Sequence, residues 1–259
     1  MLEAESLKQR ERREQPPYFE RSARLEAVTG AAEPRVREAL RTEFEPDRRE
    51  ALATVAGRGL TALVAPASVE PRRVGVCTGL QRHVSLIPLS GVRAFDGPAG
   101  VRDALERHED AILDALDRLG RARQIELLVK WDSEHVFDDL AEEYADLRTL
   151  RERTRRDPGS PSRTTLAKLG RQFEAVLDDV RRDYADTLAD ALGEIPRDER
   201  ERRCRDEREL VRATFLVETD DVDDFERRVY DAADEFDQRA MVEYTEPAAP
   251  VVFVDLELT

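Results

Sequence analysis

At 259 residues the chain is long enough for one large domain or two smaller ones, and 40% hydrophobic content supplies a core. A charged fraction of 38% and a net charge of −15 disfavour a nucleic-acid backbone as partner, because phosphate binding needs a dominant positive surface, although local basic patches remain compatible with that total. Only Lys8, Lys130 and Lys168 are lysines among 42 basic residues, an arginine bias that reads as coding composition rather than chemistry.

The first fifteen residues, "MLEAESLKQRERREQ", carry charge where a signal peptide needs an apolar segment, and no later stretch reaches the length of a membrane span. A cytoplasmic protein without a membrane span is expected. Residues 1–50 are dense in charge and broken by "QPP", Pro34 and Pro46, which predicts a mobile or loosely docked charged helical arm. Over 51–95 the runs "GLTALVAP", "RRVGVC" and "RHVSLIPL" alternate with Gly, Pro and charge; they predict strands of a small N-terminal β-containing region.

Residues 96–259 read as one C-terminal α+β domain. Asp96, Gly97 and Pro98 announce a helix with Val101, Leu105, Ile112, Leu116 and Leu119 on its stripe, and Gly120 stops it. In "RQIELLVKWD" the alternation of Ile125, Leu127, Val129 and Trp131 predicts a half-buried strand. Apolar steps near 3.5 residues on either side of "RRDPGSPSR", from Phe137 to Leu147 and from Leu166 to Val180, predict a long charged helical hairpin over 133–195.

Beyond it, Val211, Ala213, Phe215 and Val217 share a strand face. Val222, Phe225, Val229, Ala232, Ala233 and Phe236 form a helix stripe capped by Thr219, Asp220 and Asp221. "AMVEYTEP" and "VVFVDLEL" complete the strand candidates. The order predicts an α+β fold with ferredoxin-like antiparallel sheets and packed helices.

Chemistry-bearing patterns are scarce. There is no Gly-rich phosphate loop, GxSxG, HExxH or EF-hand spacing. His83, His108 and His135 fall in different elements, and adjacent acids such as Asp138-Asp139 diverge by about 100° on a helix. Cys77 and Cys204 lack metal or redox spacing and read as reduced, structurally incidental thiols. No catalytic, cofactor-binding or metal residue is therefore nominated.

The order of the apolar motifs resembles the gas vesicle protein F/L family. That family has a Pro-Leu/Val-Arg-Phe-Gly-Thr-Val-Phe stretch, a helix, and a Glu-(aromatic)-Gly-Val-Lys-Val strand. Here "IPLSGVRAF" keeps Pro88, Leu89 and Phe95, a helix follows, and "IELLVKWD" keeps Glu126, Val129 and Lys130. The family's Asn-Leu-Ala-Phe-Leu-Val strand and following helix are matched by Ala213, Phe215, Leu216, Val217, Phe225 and Val229, and its terminal segment by Pro247, Pro250 and Phe253.

The Tyr-x-Tyr-Gly-Ile opening strand, the His-Glu helix and the terminal Gly-Pro-Trp have no counterpart, so the N-terminal part reads as reduced or diverged. The resemblance implies a non-enzymatic accessory or minor structural protein that binds the major shell protein, and other accessory proteins, during vesicle assembly. Arg227 and Arg228, on the solvent face of the last helix, are the candidate interaction residues. The alternatives are an α+β protein-binding adaptor of an unrelated assembly and a small-molecule enzyme on a ferredoxin-like scaffold. Elemental analysis and native mass spectrometry of the purified protein are expected to show no stoichiometric metal, nucleotide or organic cofactor.

Overall fold

Strand β1 (Ala23–Thr29) carries Arg24 and Glu26 and is nonetheless buried along its whole length. The two side chains sit on the same strand two residues apart, and Arg24 Nε donates to Glu26 Oε1 at 2.6 Å with both groups almost fully shielded. In the computed structural model, which describes residues 22–45, 52–66, 73–89, 94–133, 135–156, 162–236 and 240–258, this strand is the centre of a sheet.

The chain divides into two compact units, one made of residues 1–124 with 247–259 and the other of 125–246. In the first, β1 pairs antiparallel on one side with β3 (Leu60–Pro66), which in turn pairs with β2 (Ala53–Gly57). Arg58 and Gly59 link β2 to β3 with φ of 43° and 78°, the positive pair that a two-residue primed hairpin turn requires. On the other side β1 meets β4 (Leu86–Pro88) and β5 (Ala94–Phe95), with Ala27 opposite Pro88 and Ala23 opposite Phe95.

Helices α1 (Glu33–Glu43) and α2 (Arg73–Leu80) bury Val36, Leu40, Cys77 and Leu80 in a cluster with Ala27, Leu63 and Leu86. Helix α3 (Gly97–Arg107) packs on β1, β2 and β3, and α4 (Glu109–Leu119) follows it.

The expectation for the first half is corrected in three places. Of the arm expected over 1–50, residues 23–29 and 33–43 are core elements, while 1–21 and 46–50 lie outside the described residues. "RRVGVC" begins a helix rather than a strand: Cys77 and Leu80 are buried at an i, i+3 spacing while Val74 is exposed, a short apolar run that periodicity alone cannot assign. The single helix expected from Pro98 to Leu119 is broken at His108, which ends α3 and precedes α4 with φ −111° and ψ 18°.

The second unit holds the sheet β7-β8-β6-β9, built from β6 (Ala122–Trp131), β7 (Asp198–Glu201), β8 (Glu209–Glu218) and β9 (Ala240–Tyr244). One face is formed by Ile125, Leu127, Val129, Trp131, Val211, Ala213, Phe215 and Val217, all buried as the alternation predicts. Against that core lie α5 (Val136–Glu143), α6 (Ala145–Arg156), α7 (Arg163–Leu192) and α8 (Val222–Glu235).

Ser162 caps α7 by accepting from the Thr165 amide, and Gly193 ends it at a φ of 57°. The helix is about 45 Å long at ~1.5 Å per residue. The chain does not run unbroken from α5 into α6: it turns extended at Tyr144. Arg148 donates to the carbonyls of Ala141 and Glu142 and so satisfies the C-terminus that the break exposes. Ahead of α8, Thr219–Asp221 form a 3-10 turn, and Asp221 makes no side-chain capping hydrogen bond.

The domain expected over 96–259 is also corrected, because 96–124 and 247–259 belong to the first unit. "VVFVDLEL" does not form a strand. Val251–Phe253 is a 3-10 turn and the rest of the described tail is irregular. Gln124 and Ala248 exchange backbone hydrogen bonds of 2.8 and 2.9 Å, Thr78 Oγ1 accepts from the Ala249 amide at 2.9 Å, and Gln124 Oε1 accepts from that of Val252 at 3.0 Å. Pro247 and Pro250 have no amide to donate, so these local acceptors replace a ladder and seat Phe253, which is fully buried.

Breaking the Arg24–Glu26 pair from one side leaves a charge inside the sheet. Arg24→Met and Glu26→Leu are each expected to cost about 3–5 kcal/mol in urea unfolding, and the double substitution to cost markedly less than their sum. Additive losses would show that the two charges do not depend on each other.

Candidate interaction surface

The strand-helix unit from β8 to α8 is held from beneath by Phe215 and Phe225, whose rings lie 5.4 Å apart at an interplanar angle of 53°. With Val229 and Ala232 they fix α8 on the sheet, and burying each phenyl contributes about 2–3 kcal/mol. The outer face of α8 then presents Asp223, Asp224, Arg227, Arg228, Tyr230 and Asp231 to solvent.

The two candidate arginines differ in role. Arg227 is exposed and pairs with Asp224 one turn earlier on the same helix. Arg228 donates through Nη1 to the Ala191 carbonyl at 3.2 Å, tying α8 to the last turn of α7, where a cation also suits the helix dipole. It is an exposed residue with a structural bond, which its position on the solvent face did not reveal.

A feature that the sequence left unmarked lies beside them. Tyr230 on α8, 58% exposed, and Tyr244 on β9 share a hydrogen bond of 3.0 Å with their rings edge to face. The bond to Tyr230, followed by burial and the nearby Glu226 carboxylate, pushes the Tyr244 phenol up to about 12. Tyr230 falls next to Val229 in the helix repeat rather than on the apolar stripe, and that displacement was the available signal. β9 is an end strand of its sheet.

The family-motif residues are spread over both units. Pro88 and Leu89 are buried and Phe95 half-buried in the first, as are Pro250 and Phe253, buried, and Pro247, half-buried. In the second, Val129, Ala213, Phe215, Leu216, Val217, Phe225 and Val229 are buried. Glu126 is exposed, and Lys130 pairs with Glu243 at 2.5 Å across β6 and β9. These are mostly packing positions and form no single site.

A cleft of about 250 Å³ opens on β6, β8 and β9, where Glu126, Glu243, Arg202 and Arg212 mix both signs and no histidine contributes. Thr214 Oγ1 in its lining is buried without a partner among the described residues. His83 Nε2 lies 3.1 Å from a Glu43 carboxylate oxygen, and Arg82 donates to the other at 3.0 Å. His108 and His135 flank helix ends elsewhere. Among the described residues no group of three or more His, Cys, Asp or Glu is placed to hold a metal ion, and burial pushes the Cys204 thiol up, away from a reactive thiolate.

A phenol whose folded pKa exceeds its unfolded value holds its proton more tightly when folded. Its contribution is present below pH 10 and is lost as the pH rises through about 12. Tyr230→Phe is expected to move the highest tyrosinate absorbance step down toward 10.0, the ordinary value; an unmoved step would show that the two hydroxyls are not coupled.

Comparison with known proteins adds the identity that the surface alone does not supply. The family model described as gas vesicle synthesis protein GvpL/GvpF matches residues 27–255. The crystal structure of the gas vesicle protein GvpF from Anabaena sp. PCC7120 is similar at a TM-score of 0.73 and 16% identity, over 92% of this chain and 99% of that one. The structure of GvpF from Microcystis aeruginosa is similar at a TM-score of 0.67 and 16% identity, over 91% and 99%. No curated protein sequence matches. With nearly its whole length matched by one family model, the chain belongs to the GvpL/GvpF family of gas vesicle synthesis proteins.

Proposed function

We propose that the protein is a non-catalytic accessory or minor structural protein of gas vesicle assembly, cytoplasmic and vesicle-associated, that binds the major shell subunit and works beside other accessory proteins. The family match over residues 27–255 is the observation that carries this reading. The surface chemistry supports it. An acidic chain of net charge −15 resists self-association, which suits a carrier of an aggregation-prone apolar subunit.

The proposed contact is the rigidly seated outer face of α8 with the neighbouring edge of β9. There Arg227 supplies a cation and Tyr230 an exposed aromatic body with a polar tip, a combination enriched at protein interfaces. Arg228 belongs to this surface and also holds the end of α7. The two arginines are therefore separable by stability.

Arg227→Glu is expected to leave unfolding within roughly 0.5 kcal/mol of wild type, whereas Arg228→Glu is expected to cost about 1 kcal/mol through the lost carbonyl bond. In a pull-down with the major shell subunit at low and at raised salt, wild type should retain the subunit and Arg227→Glu should retain less. A folded wild type that captures no shell subunit in either salt defeats the reading and favours an adaptor of an unrelated assembly.

A further inference from the structure

The distal stretch of the α6–α7 hairpin carries charge of the opposite sign to the chain as a whole. Between Arg148 and Arg171 there are eight cations and two acids, in a protein whose net charge is −15. Arg148 and Arg151 are engaged internally, the first on carbonyls of α5 and the second on Asp138 at 2.9 Å. The others lie farther out. Arg153 and Arg155 on α6, and Arg163, Lys168 and Arg171 on α7, are exposed, and none of the five pairs with a carboxylate among the described residues.

None of these five cations belongs to the buried core. The first buried residue of α7 is Val176, and Arg163 lies roughly 20 Å from it along the helix at ~1.5 Å per residue. Over that length Thr165, Leu169, Gln172 and Phe173 are half-buried, Leu169 and Phe173 against the core cluster, and Phe173 packs edge to face on Phe137 of α5 at 5.4 Å.

Stability accounts for only part of the charge. Cations in the last turn of α6 complement its dipole, but α7 begins on Arg163 with no acid in its first turn, against the preference of a helix N-terminus. The helices α1, α4, α5, α6 and α8 all place an acid there. A cation held where the dipole opposes it, with no intramolecular partner among the described residues, fits an external anion.

We infer that the distal end of the α6–α7 hairpin, through Arg153, Arg155, Arg163, Lys168 and Arg171, docks an acidic segment of another protein. Complementary charge argues for the occupant, and its scale argues for protein. A short acidic segment can lie wholly within the basic end, inside a Debye length of ~8 Å, whereas a nucleic acid extends past it into the field of a net anionic chain. The stretch from Arg148 to Arg171 also has no aromatic side chain on which a base could stack. Leu166, 49% exposed on α7, offers an apolar contact that an acidic-apolar segment would use. The inference does not rest on the identity of the shell subunit, and its surface is separate from Arg227.

The test is fluorescence anisotropy of the full chain with a labelled glutamate-rich peptide at ~50 and ~300 mM salt, with single-stranded DNA and anionic vesicles as competing probes. The expected result is saturable peptide binding that weakens at least about tenfold at the higher salt. It should be lost in R153E/R163E/K168E/R171E, with unchanged helical circular dichroism, and kept in Arg227→Glu. A milder variant, Lys168→Gln with Arg171→Gln, should show a partial loss and guards against misfolding of the first. Absence of peptide binding overturns the inference. So does equal binding by the reversed variant, tighter binding of DNA or vesicles, or a self-association of wild type that the reversal abolishes.

Discussion

A charge placed inside a sheet must be answered inside the sheet, and the first unit is arranged around that constraint. β1 carries Arg24 and Glu26 at 2% and 3% exposure, and it is the strand on which β3, β4 and β5 all align. Because the guanidinium and carboxylate meet on one strand, the strand brings its own counter-ion. The cost of desolvating both groups falls on the same element that orders its neighbours. The register shift in the pairing with β3 between Leu25 and Ala27 sits at this point, as expected where a strand bends to seat an unusual residue.

That constraint explains the family motifs as packing rather than recognition. Pro88 and Phe95 lie opposite Ala27 and Ala23 on the two short strands that share one edge of β1, and Phe253 returns from the far end of the chain to the same unit. Phe215, Phe225 and Val229 do the equivalent work in the second unit. Motifs of this kind identify a fold through its interior. The residues proposed to meet a partner lie on the surface, where neither the motif nor the core dictates their identity.

The same division decides what was legible in the sequence. β6, β8 and α8 are legible because their apolar residues alternate by two or repeat near 3.6, and each element buries one face. β1 is not, because Arg24 and Glu26 lend the segment the look of a solvated arm, and only the burial of the strand between its neighbours reveals that the two charges meet inside the sheet. "VVFVDLEL" misled in the opposite sense. Its apolar residues are there to dock a tail whose amides are taken by Thr78 and Gln124, a partnership separated by well over a hundred residues. The Tyr230–Tyr244 bond and the attachment of Arg228 to Ala191 are likewise non-local, and no spacing within either segment encodes them.

The abundance of arginine acquires a physical reading that composition could not give. Arg148 holds the carbonyls that end α5, and Arg181 spans the Glu209 and Asp206 carbonyls at 3.0 and 2.7 Å. Arg208 reaches the Trp131 carbonyl with two nitrogens at 3.4 Å, and Arg228 binds that of Ala191. Each guanidinium ties one segment to the backbone carbonyls of another, a task for which its planar set of donors suits it better than the single ammonium of lysine. Many arginines in the second unit are thus internal fasteners whose charge is incidental to their use. Against that background the five cations at the hairpin's distal end stand apart. They fasten no described element, and one opposes the dipole of the helix it begins, so their charge is itself the property that the surface presents.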